Sequence, residues 1–459
     1  MMSLCEAATA IGADARGRDV LFESVSTDSR TLARNALFVA LRGDRFDGHR
    51  FIGAARERGA AAAMVDQESG SGIEDQDLPF IIVENTRLAL GRLAARWRAR
   101  FEIPLVVVTG SNGKTTVKEM IAAILRAFLG DPRVLATEGN LNNDIGLPLT
   151  LLTLRKEHAA AVIELGMNHP GETAYLAAIA APSVALVNNA QREHQEFLSS
   201  VAEVAREHGT VFQALKAGGI AVINADDEFA GYWRGLLAGK SIRDFGIDRP
   251  ARVSGRFAAK DFGSEIELRA PEGTARIALN IDGRHNVLNA FAAASCALAA
   301  GANVQAVVRG LNAFRAVGGR TRRLALPSGA SLIDDSYNSN PDSLRAAIDV
   351  LAGFPGPRLL VLGDMGEVGT RGAEFHEEVG EYARERGIDR LYAIGDLCRA
   401  AIRTFGEGAR HFAAITDLIA AVKGDLRPRA TVLVKGSRFM RMERVVQALS
   451  GEPLAGKGH

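Results

Sequence analysis

From Leu105 onward the chain alternates short, wholly apolar runs with amphipathic helical patterns. This feature constrains the fold more than any other. The runs LVVV (105–108), AAVI (160–163), VALV (184–187) and IAVI (220–223) have no polar alternation, so both faces of each strand must be covered. That predicts a parallel sheet flanked by helices. A second series, at 331–333, 358–362, 391–394 and 431–434, predicts another doubly wound sheet. Residues 251–280 instead alternate apolar and polar, as an antiparallel hairpin does, before a helix over about 285–300. Near the N-terminus, strands at 36–41 and 80–83 with helices over 51–58 and 86–100 predict a small α/β unit. The fold class expected is therefore α/β in three domains: a small α/β N-terminal domain over 1–102, a central parallel-sheet domain over 103–314, and a doubly wound C-terminal domain over 315–459. The stretch FRAVGGRTRRLALPSGA (314–330) is the expected hinge before the last of these.

A length of 459 residues with 47% hydrophobic composition suits about three cores. Lys and Arg number 55 against 54 Asp and Glu, which leaves no overall field for steering to nucleic acid or anionic membrane. Three scattered cysteines form neither a disulfide framework nor a Cys-x-x-Cys metal site, and a reducing cytoplasm is expected. No signal peptide and no membrane span are expected, because no apolar run reaches about 18 residues.

The strongest local chemistry lies in LVVVTGSNGKTTVKEMIAAILRAFLG (105–130): a strand, a glycine loop and a helix stopped by Gly130. Val117, Met120, Ile121, Ile124, Leu125, Phe128 and Leu129 recur at helical spacing. The loop Thr109, Gly110, Ser111, Asn112, Gly113, Lys114, Thr115, Thr116 offers amides for anionic oxygens, a lysine for phosphate charge and a hydroxyl for magnesium. Only two residues separate its glycines, so it is a variant of the common phosphate loop. Glu164 ends the AAVI run and could hold magnesium or simply be a solvated strand end. His194 is a candidate metal ligand, or a polar loop residue. Asn286 and Asn289 share a helix face that could read an adenine edge, or could serve as caps. Asp334, Asp335, Asp364, Glu367, Lys435, Ser437 and Arg438 all follow strands of the third unit and suggest a ligand face there, and Asn340-Pro341 reads as an N-cap and first helical residue.

Taken in order, STDSRTLARNALFVALRGDRFDGHRFI, TGSNGKTTVKEM, NLNNDIGLPLTLL, ELGMNHPGE, GRHNVLNA, DDSYNSNPDS, VLGDMGEVG and VLVKGSRFMRME make the chain resemble the Mur ligases of peptidoglycan synthesis over nearly its whole length. The resemblance implies ATP and Mg2+ as cofactors and peptide-bond formation through an acyl phosphate. NNDIG and GDMGE favour the members that join D-alanyl-D-alanine to UDP-N-acetylmuramoyl-tripeptide. Another muramoyl ligase or a folylpolyglutamate-type synthetase is the alternative, and an ATP-hydrolysing switch is a reading from a different class. By the resemblance, Lys114, Glu164 and His194 are catalytic, Thr115, Glu164 and His194 organise magnesium, and the phosphate loop with Asn286, Asn289, Arg320 and Asp335 binds ATP. Asp28, Ser29, Arg30, Gly48 and His49 would belong to the UDP-sugar pocket, and Asn142, Asn143 and Asp144 to a substrate-side loop. A monomer is expected. Two departures stand out. His194 is followed by Gln-Glu-Phe-Leu instead of the usual run ending in Phe-Gly, and His208 occupies the place where many Mur ligases have a lysine carbamylated to ligate magnesium. His208 is expected to hold a water or a phosphate oxygen.

Overall fold

The computed structural model describes residues 1–43, 46–70 and 78–451. Six parallel strands form the central sheet in the spatial order Val134–Ala136, Ala160–Glu164, Leu105–Thr109, Val184–Val187, Ile220–Asn224, Ser241–Phe245. Leu105–Thr109 lies in the middle and every one of its residues is buried. Each such Val, Leu or Ile contributes about 1.5–3 kcal/mol on leaving water. At the two edges, Val134–Ala136 is only three residues long, and Ser241–Phe245 is half-exposed and mixes charge into its run.

Helix Lys114–Leu129 follows the first central strand, capped by Gly113 at φ 82 and ended by Gly130 at φ 97. Its residues Val117, Met120, Ile121, Ile124 and Leu125 are buried, while Phe128, in the last turn, remains 39% exposed. The expected hairpin is a three-stranded antiparallel sheet, Ser254–Ala259, Ser264–Ala270 and Gly273–Leu279. Helix Arg284–Ala299 follows, and its alanine-rich surface packs closely on helix Lys114–Leu129.

The N-terminal sheet has five strands in the order Asp14–Arg16, Phe80–Val83, Ala62–Asp66, Ala36–Val39, Ser24–Ser26, with only the first antiparallel. Helix Thr86–Arg98 is capped by Asn85, whose Oδ1 accepts from the Arg87 and Leu88 amides. Leu90, Leu93 and Trp97 of this helix belong to one continuous apolar cluster that includes Leu37 and Met64 of the N-terminal sheet and Val107, Leu151 and Ile163 of the central unit. These two units therefore share a core.

The C-terminal sheet runs Arg322–Ala325, Ser331–Asp335, Thr431–Lys435, Arg358–Gly363, Arg390–Ile394, Ala409–Phe412, parallel except for its first strand. The buried residues of its two apolar clusters all come from Leu326 onward. The 314–330 segment, expected as a hinge, is thus partly the edge strand Arg322–Ala325, and it is pinned by Gly319 N–H to Asp334 Oδ2 (2.8 Å) and Thr321 N–H to Asp335 Oδ1 (3.0 Å). Asn340 caps helix Pro341–Ala352 as anticipated, in a reciprocal capping box with Ser343. Among the described residues no helix is long and apolar enough to cross a membrane.

Candidate functional site

The three units enclose a cleft of about 1470 Å3. Parallel strands of the central sheet end at it, as open α/β sheets lead one to expect. The central wall is the phosphate loop. Gly110, at φ 132, lies so close to the Asn188 and Asn189 amides that a Cβ would meet both at 3.0 Å. The Asn112 amide donates to Asn189 Oδ1 (2.8 Å), and the Gln191 amide donates to Ser111 Oγ (2.9 Å). The loop is thereby held against residues 188–191, with backbone donors around the start of a sixteen-residue helix.

Lys114 Nζ donates to Gly110 O (2.6 Å) and Ser111 O (3.2 Å) and stands 3.4 Å from Glu193 Oε2. Thr115 Oγ1 accepts from Arg320 (3.4 Å), whose guanidinium lies 4.1 Å from the Tyr337 ring centroid. Thr116 lines the cleft, whereas Thr109 turns its hydroxyl away to His208 Nδ1 (3.0 Å).

Glu164, 3% exposed, accepts at Oε1 from Asn142 Nδ2 (2.8 Å), but its Oε2 has no hydrogen-bond partner. An orphaned buried carboxylate oxygen on the cleft wall is costly unless a cation or donor meets it. His194 adopts φ 48, a strained backbone for a residue with a side chain. Its Nδ1 is 2.5 Å from Glu367 Oε2, a contact close enough for an ion pair but poorly directed for a hydrogen bond. This contact holds the Glu367 carboxyl below its ordinary range. The chemistry of Glu164, His194 and the Thr115 hydroxyl fits a hard divalent cation, with oxygens dominating the set.

Asn142, Asn143 and Asp144 all line the cleft, with different duties. Asn143 Oδ1 accepts from the Ile145 and Gly146 amides at the start of helix Gly146–Leu152, and Asp144 Oδ1 accepts from Arg87 (2.7 Å), joining the N-terminal unit to this rim. Asn286 and Asn289 are buried in an amide chain: Asn188 donates to Asn289 Oδ1 (3.1 Å), and Asn289 to Asn286 Oδ1 (3.1 Å). Gly283, not either asparagine, caps their helix. Asp335 accepts from Lys435 Nζ (2.5 Å) in a buried pair at the cleft.

Asp364, in contrast, turns inward. Its carboxylate accepts from the Leu397 and Cys398 amides and approaches buried His376, whose Nε2 accepts from Met365 N–H and whose Nδ1–H donates to Gly372 O. Every donor of that Asp364–His376–Cys398 cluster has a backbone partner or lies against one, so the cluster is a loop brace. Asp334 is likewise spent on Gly319 and Ser336.

Asp28, Ser29, Arg30, Gly48 and His49 are not among the described residues lining the cleft. Asp28 and Arg30 form a bidentate pair in an exposed turn of the N-terminal sheet (2.7 and 2.9 Å), with Ser29 between them. Gly48 approaches Leu41, where a Cβ would meet its carbonyl oxygen at 2.7 Å. His49 is nearly buried, with Nδ1 on Asp47 (2.7 Å) and Nε2 accepting from the Asp66 amide (3.1 Å). The expectation for His208 fails: it is wholly buried, and its second nitrogen lies on Glu193 Oε1 at 2.7 Å, so neither nitrogen is free for a water or a phosphate.

Two residues of the cleft escape a reading of the sequence. Glu193 is 6% exposed; burial would raise its carboxyl, but Lys114 and the His208 hydrogen bond outweigh that and hold it well below the usual range. Burial pushes the His208 imidazole down, so it is neutral, with Nε2–H donating to Glu193 and Nδ1 accepting from Thr109. Arg192, beside Glu193, makes two-pronged contacts with Asp342 (2.6 and 3.1 Å) and Glu378 (2.6 and 3.1 Å) of the C-terminal unit. Asn340 Nδ2 donates to Asn112 Oδ1 (2.9 Å) nearby. Polar contacts thus tie the C-terminal unit to the loop carrying Glu193 and His194. Arg192→Ala is expected to lower kcat/KM about tenfold, the equivalent of about 1.4 kcal/mol from charge-assisted bonds, and to enlarge the radius of gyration by small-angle scattering. Unchanged kinetics and dimensions would remove Arg192 from this role.

Comparison with known proteins agrees with this architecture. Residues 22–98, 108–297 and 319–438 match, in turn, the Mur ligase family catalytic domain, the Mur ligase middle domain and the Mur ligase glutamate ligase domain. The chain is 41% identical to UDP-N-acetylmuramoyl-tripeptide--D-alanyl-D-alanine ligase of Escherichia coli (strain K12), covering 98% of each chain. It is 32% identical to the protein of that name from Bacillus subtilis (strain 168), covering 95% of this chain and 94% of the relative. A crystal structure of MurF from Acinetobacter baumannii superposes with a TM-score of 0.90 at 31% identity and 98% coverage of both chains. The MurF ligase of Thermotoga maritima in complex with ADP gives 0.82 at 26% identity, covering 94% and 98%. A phosphate loop facing a cleft among three α/β units, matched end to end by these relatives, places the chain in the Mur ligase family.

Proposed function

We propose that this chain joins D-alanyl-D-alanine to UDP-N-acetylmuramoyl-tripeptide with consumption of ATP, releasing ADP and phosphate. The observation that carries it is the phosphate loop with Lys114 at a cleft to which all three units contribute, in a chain 41% identical over its length to a ligase of that name. The tripeptide carboxylate attacks the γ-phosphorus, ADP departs, and the resulting acyl phosphate is attacked by the dipeptide amine. Lys114 and the loop amides bind the β- and γ-phosphates and stabilise the charge that develops in transfer. Glu164, His194 and Thr115 would hold magnesium, which when bound neutralises phosphate charge. Asn286, Asn289, Arg320 and Asp335 would position the nucleotide. Docking of the C-terminal unit through Arg192 and Asn340 keeps water from the acyl phosphate.

Asp28, Ser29, Arg30, Gly48 and His49 lie on the N-terminal unit, away from the phosphate loop, where a UDP-sugar would extend from the cleft. Asp28→Ala and Arg30→Ala should therefore raise KM for the UDP-sugar peptide far more than KM for ATP. An equal or greater effect on ATP would defeat that assignment. The reaction is tested by incubating the protein with ATP, UDP-N-acetylmuramoyl-tripeptide and either D-alanyl-D-alanine or single amino acids. Pentapeptide mass with stoichiometric ADP only in the dipeptide reaction is the expected result. ADP release without ligation would instead indicate a nucleotide-hydrolysing switch. Such a ligase works in the cytoplasm, where its nucleotide substrates are made.

A further inference from the structure

Glu193 is a buried carboxylate of the cleft that takes no part in the steps proposed above. Its two oxygens are treated differently. Oε1 is anchored on the protein side by His208 Nε2–H at 2.7 Å, and His208 is itself fixed by Thr109 Oγ1 at 3.0 Å. Oε2 faces the cleft, 3.4 Å from Lys114 Nζ and 3.7 Å from His194 Nε2. A buried chain of three side chains thus orients one oxygen beside His194.

A six-coordinate magnesium ion at about 2.1 Å from its ligands sets neighbouring donor atoms about 3 Å apart and opposed ones about 4.2 Å apart. The 3.7 Å between Glu193 Oε2 and His194 Nε2 lies between those two distances, so a side-chain shift of about 0.7 Å brings both onto neighbouring positions of one ion. The unpartnered Oε2 of buried Glu164 on the same cleft independently calls for a cation. Imidazole alone suits magnesium poorly, and an anionic oxygen next to it supplies the hard donor the ion prefers. A mere counter-ion for Lys114 would need charge but no brace holding one oxygen in place.

We infer that Glu193 is a cation ligand of this site, acting through Oε2 beside His194, with His208 and Thr109 as the positioning residues that orient it. This rests on the proposal that the cleft binds ATP with a divalent cation.

The test uses Mn2+ as probe, titrated by electron paramagnetic resonance into the full chain with ADP present, and calorimetry of ADP in EDTA for metal-free nucleotide binding. Glu193→Gln, nearly isosteric, is expected to weaken Mn2+ about 10–100-fold, and His208→Ala about tenfold, the range for displaced metal ligands and their supports. Metal-free ADP binding should not weaken in either variant, because neither change removes a contact to the nucleotide and Glu193→Gln relieves the carboxylate that competes for Lys114. Glu193→Asp keeps the charge but withdraws the oxygen: a ligand role predicts weakened Mn2+ binding, whereas unchanged Mn2+ affinity would leave Glu193 a counter-ion only and overturn the inference. Mn2+ affinity preserved in Glu193→Gln would overturn it equally. Wild-type protein that binds no ADP would sink the nucleotide proposal and this inference with it, whereas in a wild type that binds ADP and Mn2+ the variants bear on Glu193 alone. Ligation in buffer stripped of carbon dioxide should be unimpaired. Loss rescued by bicarbonate would show that a carbamate supplies the anion and would refute Glu193.

Discussion

Lys114→Ala is expected to reduce ligation at least a thousandfold, about 4 kcal/mol of transition-state stabilisation, while leaving the fold intact. The side chain is partly exposed and takes no part in the apolar core, so its removal leaves no cavity. Its loss has a double cost. The transferring phosphoryl group loses its nearest fixed cation, and Glu193, which Lys114 neutralises at 3.4 Å, is left to repel it. The reference is steady-state ADP release with both substrates present, alongside thermal unfolding. Retention of more than about a tenth of the wild-type rate, under about 1.4 kcal/mol, would count decisively against Lys114 as the phosphate-stabilising charge.

Gly113→Ala should be nearly as damaging for a different reason. Gly113 sits at φ 82, where a Cβ costs about 1–2 kcal/mol in backbone strain. That Cβ would also meet Asn289 Oδ1 at 2.5 Å and Asn188 Nδ2 at 2.8 Å, both buried and mutually hydrogen-bonded. To admit the methyl group the loop must lift off residues 188 and 189, and the amides that cradle phosphate lift with it. A hundredfold fall in kcat/KM for ATP, about 2.7 kcal/mol, is expected. Gly130→Ala serves as the control at the opposite end of the same helix. Its φ of 97 brings a similar strain, but nothing lies within 4 Å of the added carbon. Gly130→Ala should therefore lower the melting temperature and spare activity. Equal activity losses in the two variants would mean that helix strain, not the loop cradle, controls turnover.

Much of this structure is legible in the sequence wherever a strand is buried on both faces. LVVV, AAVI and VALV appear as strands within a residue of their expected ends, because full burial permits only apolar residues there. The edge strands are harder, since SIRDF and ARHF keep one side in solvent and mix charge into the run. The phosphate loop is legible because strand, glycines and helix all lie within one stretch of chain. Glu193 and Arg192 are not, although both lie within two residues of His194. Their significance comes from Lys114 seventy-nine positions away and from Asp342 and Glu378 in another unit, pairings that no local periodicity encodes. His208 misleads for a related reason: the face of helix Val201–Gly209 that carries it is turned inward, onto Thr109 and Glu193.

The apolar cluster common to the N-terminal sheet and the central sheet has a consequence for how the chain acquires its shape. Leu90, Leu93 and Trp97 sit in one interior with residues of both units, so neither of the first two units can complete that interior until the other is in place. A chain severed near residue 102 would leave two incomplete interiors. One severed at 314–321 would part finished interiors from each other, because the clusters beyond that stretch are self-sufficient. During synthesis from the N-terminus, the cluster between Leu32 and Phe80 can close early on one face of the first sheet, but the shared interior on its other face waits for the central unit, and the final sheet consolidates independently afterwards.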